Sequence, residues 1–199
     1  IFNNCNGFTL GARSVKPNAT CQVVITGDWD NPVKEAETVN ALVDQGVDVI
    51  VANVDSPKVA IETAERRGIL SCGYHTDLSA LAPKGFLTGA EWNWSKAGEF
   101  IESWRNGKPY PNLQRGGFSN NMVTLSAFGK SVPKEVQDAV LKAREGFVND
   151  SFKLYKGPLK DNQGNEVLAA GREISNSDNA FKVNVKFLVE GAIGSTGLK

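Results

Sequence analysis

The sequence predicts an α/β protein with a three-layer, parallel-sheet architecture, and three observations in its first half favour this fold class. The runs "CQVVITG" and "VDVIVANV" are β-branched and apolar, and a segment with helical apolar spacing follows each of them. A third short run, "ILSCGY", comes after the second of these segments. Strands and helices that alternate at this spacing form parallel sheets with right-handed crossovers and helices on both faces.

The opening segment, "NNCNGFTLGARSVKPNA", predicts a helix with no strand before it. Because this pattern starts without a strand to pair, we expect that the chain is truncated at its start and that the sheet lacks its first strand. The segment "VKEAETVNALVDQG" predicts the next helix. A side-chain cap from Asp30 or Asn31 precedes Pro32 in its first turn, and Gly46 ends it.

The third predicted helix, within residues 55–68, repeats this arrangement. Asp55 or Ser56 supplies the cap, Pro57 lies in the first turn and Gly68 ends the helix. The run "VDVIVANV" before it is continuously apolar, which is typical of a central parallel strand that is covered on both faces.

The pattern changes after Ala80. The run "KGFLTGAEWNW" predicts an extended segment, and "SKAGEFIESWRNGKPY" predicts an amphipathic helix. "GGFSNNMVTLSAFG" predicts a hairpin or short strand pair, "VPKEVQDAVLKAREGFVN" a helix, and "FKLYKGPL" with "EVLAAG" a hairpin around "DNQG". The last apolar stretch, "FKVNVKFLVEGAIG", fits helix or strand by periodicity, and we expect a helix.

Composition excludes several classes of function. The chain has 22 Lys plus Arg and 22 Asp plus Glu residues, so no charge excess indicates nucleic acid or a membrane surface as a partner. The three cysteines lack the spacing of a metal site. We interpret them as small buried side chains, with a Cys5–Cys21 disulfide as the alternative. The sequence predicts no metal, no cofactor and a small neutral ligand.

The loops after the three strands mark the predicted ligand edge, because open parallel sheets bind ligands outside the carboxyl ends of their strands. Aspartate and asparagine in such loops also fit simple roles as helix caps and turn residues. A tryptophan in a tight loop either covers the core or stacks on a ligand. The loops "GDWDNP", "NVDSP" and "GYHTDLS" contribute the aromatic and polar residues Trp29, Asp30, Asn31, Asp55, Tyr74, His75 and Asp77.

An enzyme is the less favoured interpretation. A nucleophilic serine or cysteine needs a base within reach, and Cys72 and His75 lie three residues apart on a strand, so they face opposite sides. No glycine-rich phosphate loop and no spaced metal cluster is present in the sequence. We therefore expect a binding protein without catalytic residues.

Five segments, in order, resemble the carboxyl-terminal half of the basic membrane protein family: "NGFTLGARSVKPNA", "VVITGDWDNPVKEAETVNALVDQGVDVI", "CGYHTD", "LTGAEWNW" and "GPLKDNQG". These nucleoside-type lipoproteins feed ABC importers and are type I periplasmic binding proteins, whose two α/β lobes close on a ligand. The resemblance implies that residues 1–90 form the second-lobe ligand-binding unit. It also implies that residues 91–199 supply the crossover segment, helices and hairpin that complete the two lobes.

The resemblance also assigns the site. Trp29 matches the aromatic position that stacks on the bound base, and His75 stands where relatives have an aspartate that contacts the ligand. Trp92 and Asn93 match the segment that crosses between the lobes, where nucleoside-binding members carry a lysine. A neutral imidazole both donates and accepts, whereas an ionised aspartate only accepts. The ligand-binding residues that the resemblance implies are Trp29, Asp55, His75, Asp77, Trp92 and Asn93.

The implied function is that of the solute-binding component of an ABC importer, which binds a planar heterocycle such as a nucleoside or nucleobase between two lobes. The implied partners are this ligand, an ABC permease, and a first lobe or another chain that covers the exposed edge of the sheet. The implied location is periplasmic or extracellular, with a lipoprotein anchor. The alternative is a ligand-sensing domain of a receptor or transcription regulator with the same fold.

Overall fold

The computed structural model describes residues 1–198 of the 199-residue chain. The chain divides into two compact units, which we call unit 1 (Ile1–Asp28 with Asn149–Lys199) and unit 2 (Trp29–Val148). These units reflect packing within the chain, whereas the predicted boundary after residue 90 follows the lobes that the family resemblance implies. The assignment of residues 1–90 and 91–199 to lobes therefore stays a prediction.

The helices and strands alternate through the first half of the chain and are more widely spaced in the second. In chain order they are α1 (Phe2–Val15), β1 (Cys21–Gln22), α2 (Pro32–Asp44), β2 (Val49–Val51), α3 (Lys58–Arg66), β3 (Leu70–His75), β4 (Phe86–Trp92), α4 (Ser95–Arg105), β5 (Val123–Leu125), α5 (Lys134–Val148), β6 (Leu159–Lys160), β7 (Glu166–Leu168), α6 (Asn179–Val183) and β8 (Ala192–Ile193).

Unit 2 is built on a four-stranded sheet in the order β2-β3-β4-β5. The first three strands are parallel, and β5 runs antiparallel to β4. One apolar cluster, around Val39, Ile50 and Ala64, packs α2 and α3 against β2. A second cluster, around Ile61 and Phe86, packs α3 against β4. The predicted α/β fold class is confirmed, and the sheet is mainly but not wholly parallel because β5 joins it in the antiparallel direction.

The start of α2 follows the predicted pattern, with Asn31 and not Asp30 as the cap. The Asn31 side chain accepts a hydrogen bond from the Lys34 backbone N–H at 3.1 Å, and Pro32 is the first helical residue. The predicted cap of α3 by Asp55 or Ser56 is wrong. Pro57 takes the cap position there without a side-chain hydrogen bond, and the Asp55 backbone N–H bonds instead to the Trp29 carbonyl.

One prediction for this part of the chain is wrong, and one helix that forms as predicted is more exposed than its pattern suggests. The segment 116–129 does not form a hairpin, because its one strand, β5, pairs with the earlier strand β4. Helix α4 forms where predicted, but its apolar face is exposed: no residue of Ser95–Arg105 is buried, and Trp104 is 72% exposed. The predicted hairpin around "DNQG" is present as the antiparallel pair β6 and β7.

Unit 1 differs from the predicted arrangement at both ends of the chain. Strand β1 pairs in parallel with β8 and not with β2. The pairing is short because Gly191 and Gly194, at φ of 93° and 143°, turn the chain on either side of β8. The predicted helix over residues 181–194 is wrong beyond Val183, where α6 ends.

A buried asparagine explains why this segment is not helical. The Asn6 amide donates to the Phe187 carbonyl at 3.0 Å, and its oxygen accepts from the Val189 N–H at 2.9 Å. These bonds satisfy backbone groups that a helix would have paired internally. The buried side chains of residues 185 and 189 then pack in one apolar cluster with Tyr155. Their spacing also fits a helix, so periodicity alone could not separate the two outcomes.

We predict that alkali destabilises unit 1 through Tyr155. Burial raises the pKa of the Tyr155 hydroxyl to about 12, and this hydroxyl donates to Asn3 Oδ1 at 2.9 Å. The unfolded chain ionises a tyrosine near pH 10. The protonated Tyr155 hydroxyl therefore makes its full contribution to the free energy of unfolding below pH 10, and this contribution is lost as the pH rises towards 12.

Urea unfolding at neutral pH and at about pH 11 measures this loss. Tyr155→Phe should cost about 1 kcal/mol at neutral pH, because the bond to Asn3 is lost, and should reduce the further loss in alkali. Tyr110→Phe, in unit 2, is the matched control. An equal alkaline loss in wild type and Tyr155→Phe would contradict the assignment.

Candidate functional site

A change of register between β3 and β4 brings two of the predicted site residues together. Ser71 pairs with Phe86, whereas Gly73 pairs with Gly89, so a step of two residues in β3 matches a step of three in β4. Such an extra residue is a β-bulge, which bends a strand and re-aims its side chains. Beyond the bulge, His75 pairs with Glu91, the residue directly before Trp92.

Glycine is required at position 89 of the bulge pair, and a larger residue at position 73 would need the Phe86 ring to shift. A Cβ atom added to Gly89 would lie 2.7 Å from the carbonyl oxygen of Gly73. One added to Gly73 would lie 3.0 Å from the ring of Phe86. Because real Cβ atoms do not approach backbone oxygen this closely, the register that follows the bulge depends on the glycine at position 89.

His75 and Trp92 form a direct hydrogen bond at the carboxyl end of β3. The Trp92 indole Nε1–H donates to His75 Nδ1 at 2.9 Å. The His75 backbone has a φ of 76°, a left-handed conformation that is uncommon for a residue other than glycine. The Tyr74 ring packs against the imidazole, with 3.9 Å between the ring centroids. The imidazole is thus fixed by two aromatic neighbours.

Trp29, Asp55 and Tyr74 form the adjoining part of this edge. The Asp55 backbone N–H donates to the Trp29 carbonyl at 2.7 Å, which ties the loop before α2 to the loop before α3. Burial, and then the negative charge of Asp55, raises the pKa of the Tyr74 hydroxyl. The Trp29 side chain is 49% exposed, so the core does not enclose it. Its ring is therefore accessible to a stacking partner.

The other two predicted residues, Asp77 and Asn93, have local structural contacts. Asp77 Oδ1 accepts from the Ser79 backbone N–H at 2.9 Å. Asn93 Oδ1 accepts from the Ser95 N–H at 3.2 Å and from the Ser95 hydroxyl at 2.6 Å. These are the turn and cap contacts that short polar side chains commonly make. The two residues shape the loops around the site through these bonds.

A cavity of about 440 Å³ lies beside Trp92, within unit 2. Its volume falls in the range of small-molecule sites, which are mostly apolar with a few polar groups. Trp92 and Asn93 line it, but the sequence did not identify its other members. The aromatic density of "WNW" and the helix after it is a signal for the apolar lining residues Trp94, Ala97 and Phe100. The remaining apolar lining residues come later in the chain and are Tyr110, Pro111 and Met122.

The electrostatics of this edge do not favour nucleophilic chemistry. Burial raises the pKa of the Cys72 thiol to about 11, so this thiol stays protonated at neutral pH. All three cysteines carry free thiols and are half-buried. Among residues 1–198, no three His, Cys, Asp or Glu side chains lie where they could hold a metal ion. No helix in this part of the chain is long and apolar enough to cross a membrane.

The chain matches a family of known proteins over most of its length. The family model described as "Bmp: ABC transporter substrate-binding protein PnrA-like" covers residues 2–157. A putative ABC transporter glucose-binding protein of Haloferax volcanii is 31% identical, over 84% of this chain and 43% of that protein. A purine-binding protein of Brucella abortus is 28% identical, over 96% of this chain and 53% of that protein. The chain thus spans about half the length of these relatives.

A solved structure shares the fold. The crystal structure of a transcriptional activator of the comK gene from Bacillus halodurans superposes with a TM-score of 0.63. It is 18% identical in sequence, and the match covers 74% of this chain and 62% of that one. At this identity the likeness concerns the fold alone.

We predict that Gly89→Ala disrupts the site through the bulge. The new Cβ would clash with the Gly73 backbone, which should destabilise unit 2 by about 1–3 kcal/mol and separate Trp92 from His75. Urea unfolding measures the first effect, and NMR of His75, the only histidine, reports the second. Gly98→Ala in α4 is the control, because an added Cβ there meets no atom within 4 Å. Equal stability in both variants would contradict the prediction.

Proposed function

The chain belongs to the Bmp family of PnrA-like ABC transporter substrate-binding proteins, and we propose that it binds a small planar heterocycle, such as a nucleoside or nucleobase, for an ABC importer. The family consists of substrate-binding proteins and not of enzymes, so the chain is a binding protein. The proposal concerns the ligand and the residues that hold it.

The observation that carries the proposal is the group of aromatic and polar side chains at the carboxyl ends of β2, β3 and β4. The half-exposed Trp29 ring offers a flat apolar face, and the Trp92 ring lies beside the imidazole of His75. Aromatic faces supply much of the affinity for heterocycles, and a few polar groups select among them. In this proposal Trp29 is the stacking face, and His75 with Asp55 makes the polar contacts.

Relatives support this ligand class to different degrees. The name of the Brucella relative specifies a purine, and that of the Haloferax relative specifies glucose. Both ligands can lie flat on a tryptophan, but a sugar presents hydroxyl groups along its whole rim. The exposed aromatic surface at Trp29 and Trp92 favours the heterocycle, and glucose belongs in the test as its competitor.

The proposed partners follow from the family. A substrate-binding protein hands its ligand to a permease, so we propose an ABC permease as the physiological partner and a periplasmic or extracellular, lipoprotein-anchored location. We further propose that the lobe assignment from the sequence holds, with Asp77 and Asn93 shaping the loops around the ligand.

A second candidate function is a ligand-sensing domain of a receptor or transcription regulator. The observation that favours it is the similarity in fold, at a TM-score of 0.63, to a solved structure named as a transcriptional activator. Such a domain would bind its ligand with the same residues. Ligand binding without any association with a permease would favour this second function.

We predict that Trp29→Ala weakens heterocycle binding by about ten- to a hundredfold, because stacking of a base on an aromatic ring contributes about 1–3 kcal/mol. Calorimetric titration of the full-length protein against purines, pyrimidines, nucleosides, flavins and glucose measures this. Trp29→Phe, which keeps an aromatic face at the same position, is the matched control and should lose less affinity than Trp29→Ala. Wild-type affinity in Trp29→Ala, or binding of glucose alone, would refute the stacking proposal.

We predict that a protein made of these 199 residues alone self-associates or binds an apolar dye. Val24 and Ile25 beyond β1 are about half exposed, and Phe100, Ile101 and Trp104 leave an apolar face of α4 uncovered. Exposed apolar patches of this kind mark interfaces. We propose that a first lobe, of the type that this family has, covers them in the full protein. Analytical ultracentrifugation and dye fluorescence test this. A folded monomer without dye binding would contradict it.

A further inference from the structure

We propose that Trp92 sets the ligand preference of the site by holding His75 in a single tautomer. In this tautomer the His75 proton is on Nε2, so the side chain offers the ligand a hydrogen-bond donor. The favoured ligands are then heterocycles whose contacting edge carries a carbonyl oxygen rather than an amino group. The preference rests on the proposed function, whereas the tautomer does not depend on it.

The tautomer follows from the chemistry of the two side chains. An indole N–H can only donate a hydrogen bond, and a neutral imidazole has one donor and one acceptor nitrogen. The distance of 2.9 Å from Trp92 Nε1 to His75 Nδ1 is that of an ordinary hydrogen bond. His75 Nδ1 is therefore the acceptor, and the proton of the neutral ring must be on Nε2.

The surroundings leave Nε2 available to a ligand. Within residues 1–198, which the structure describes, Nε2 has no hydrogen-bond partner. Asp77, two residues further on, has one carboxylate oxygen bonded to the Ser79 N–H. The Tyr74 ring packs against the imidazole, which restricts rotation of the ring. The donor is thus presented by a side chain that is held in place by Trp92 and Tyr74.

A fixed hydrogen-bond donor weakens the binding of ligands that have no acceptor opposite it. When an amino group faces Nε2–H, two donors meet, and a group that loses water without gaining a partner costs about 1–3 kcal/mol. A carbonyl oxygen in the same place forms the bond. A discrimination of about tenfold between ligands that present a carbonyl and ligands that present an amino group to Nε2–H is therefore expected. An ionised aspartate at position 75 would reverse the preference, because it only accepts.

NMR tests the tautomer directly, because His75 is the only histidine in the chain. Long-range nitrogen–proton correlation spectra of the full-length protein should show only the Nε2–H form at a pH where the ring is neutral. Trp92→Phe keeps an aromatic ring but removes the donor, so a mixture of tautomers should appear. Trp94→Phe, two residues away, is the control and should leave the spectrum unchanged. An Nδ1–H form in the wild type, or an unchanged spectrum in Trp92→Phe, would overturn the proposal.

Calorimetry tests the preference with nucleoside pairs in which a carbonyl beside a ring N–H is replaced by an amino group beside an acceptor ring nitrogen. Inosine against adenosine, and uridine against cytidine, each compare a carbonyl with an amino group. The wild type should bind the carbonyl member of each pair about tenfold more tightly than the amino member. Trp92→Phe should show a smaller preference, and His75→Asp should bind the amino member more tightly. A preference that neither variant alters would refute the role of His75. If no member of either pair binds, the proposed function fails, whereas the spectra still decide the tautomer.

Discussion

The close approach of Gly73 and Gly89 is the contact on which the geometry of the site depends. Because neither residue has a Cβ, the two backbones can meet at the bulge, and β4 gains one residue relative to β3. The side chains of a strand alternate between its two faces, so this extra residue decides which of them reach the end of β3. Without it, Trp92 would be out of register with His75.

The sequence predicted the parts of the fold that depend on local signals. Apolar spacing and a proline with an adjacent cap identified α2. A continuous apolar run identified β2 as a strand, but β2 lies at the edge of the sheet, and Val51 is exposed, rather than in a central position covered on both faces. The predictions from the sequence are wrong where a contact with a residue far away along the chain determines the local structure. Asn6 forms hydrogen bonds to the backbone on either side of residue 188, where a helix was expected. Strand β5 was expected to pair within its own segment, but it pairs with β4.

The same distinction applies to the candidate site. The loops that carry Trp29, Asp55 and His75 could be located because each follows a predicted strand, and the structure links Trp29 to Asp55 through the backbone. The bond from Trp92 to His75 could not be predicted, since it needs both the bulge and a left-handed backbone at His75. The aromatic cavity was also missed, because Phe100 and Tyr110 were interpreted only as parts of separate segments.

The left-handed backbone at His75 has a cost that its neighbours must offset. A non-glycine residue in this conformation is less stable by about 1–3 kcal/mol. Asn121 and Asp150 also have positive φ values, but their short polar side chains tolerate this conformation well. His75 has instead the bond to Trp92 and the packing of Tyr74. A glycine would meet the backbone requirement alone. A ligand contact by the His75 side chain at this edge of the sheet, as we propose, gives a reason for a strained residue that two aromatic neighbours hold in place.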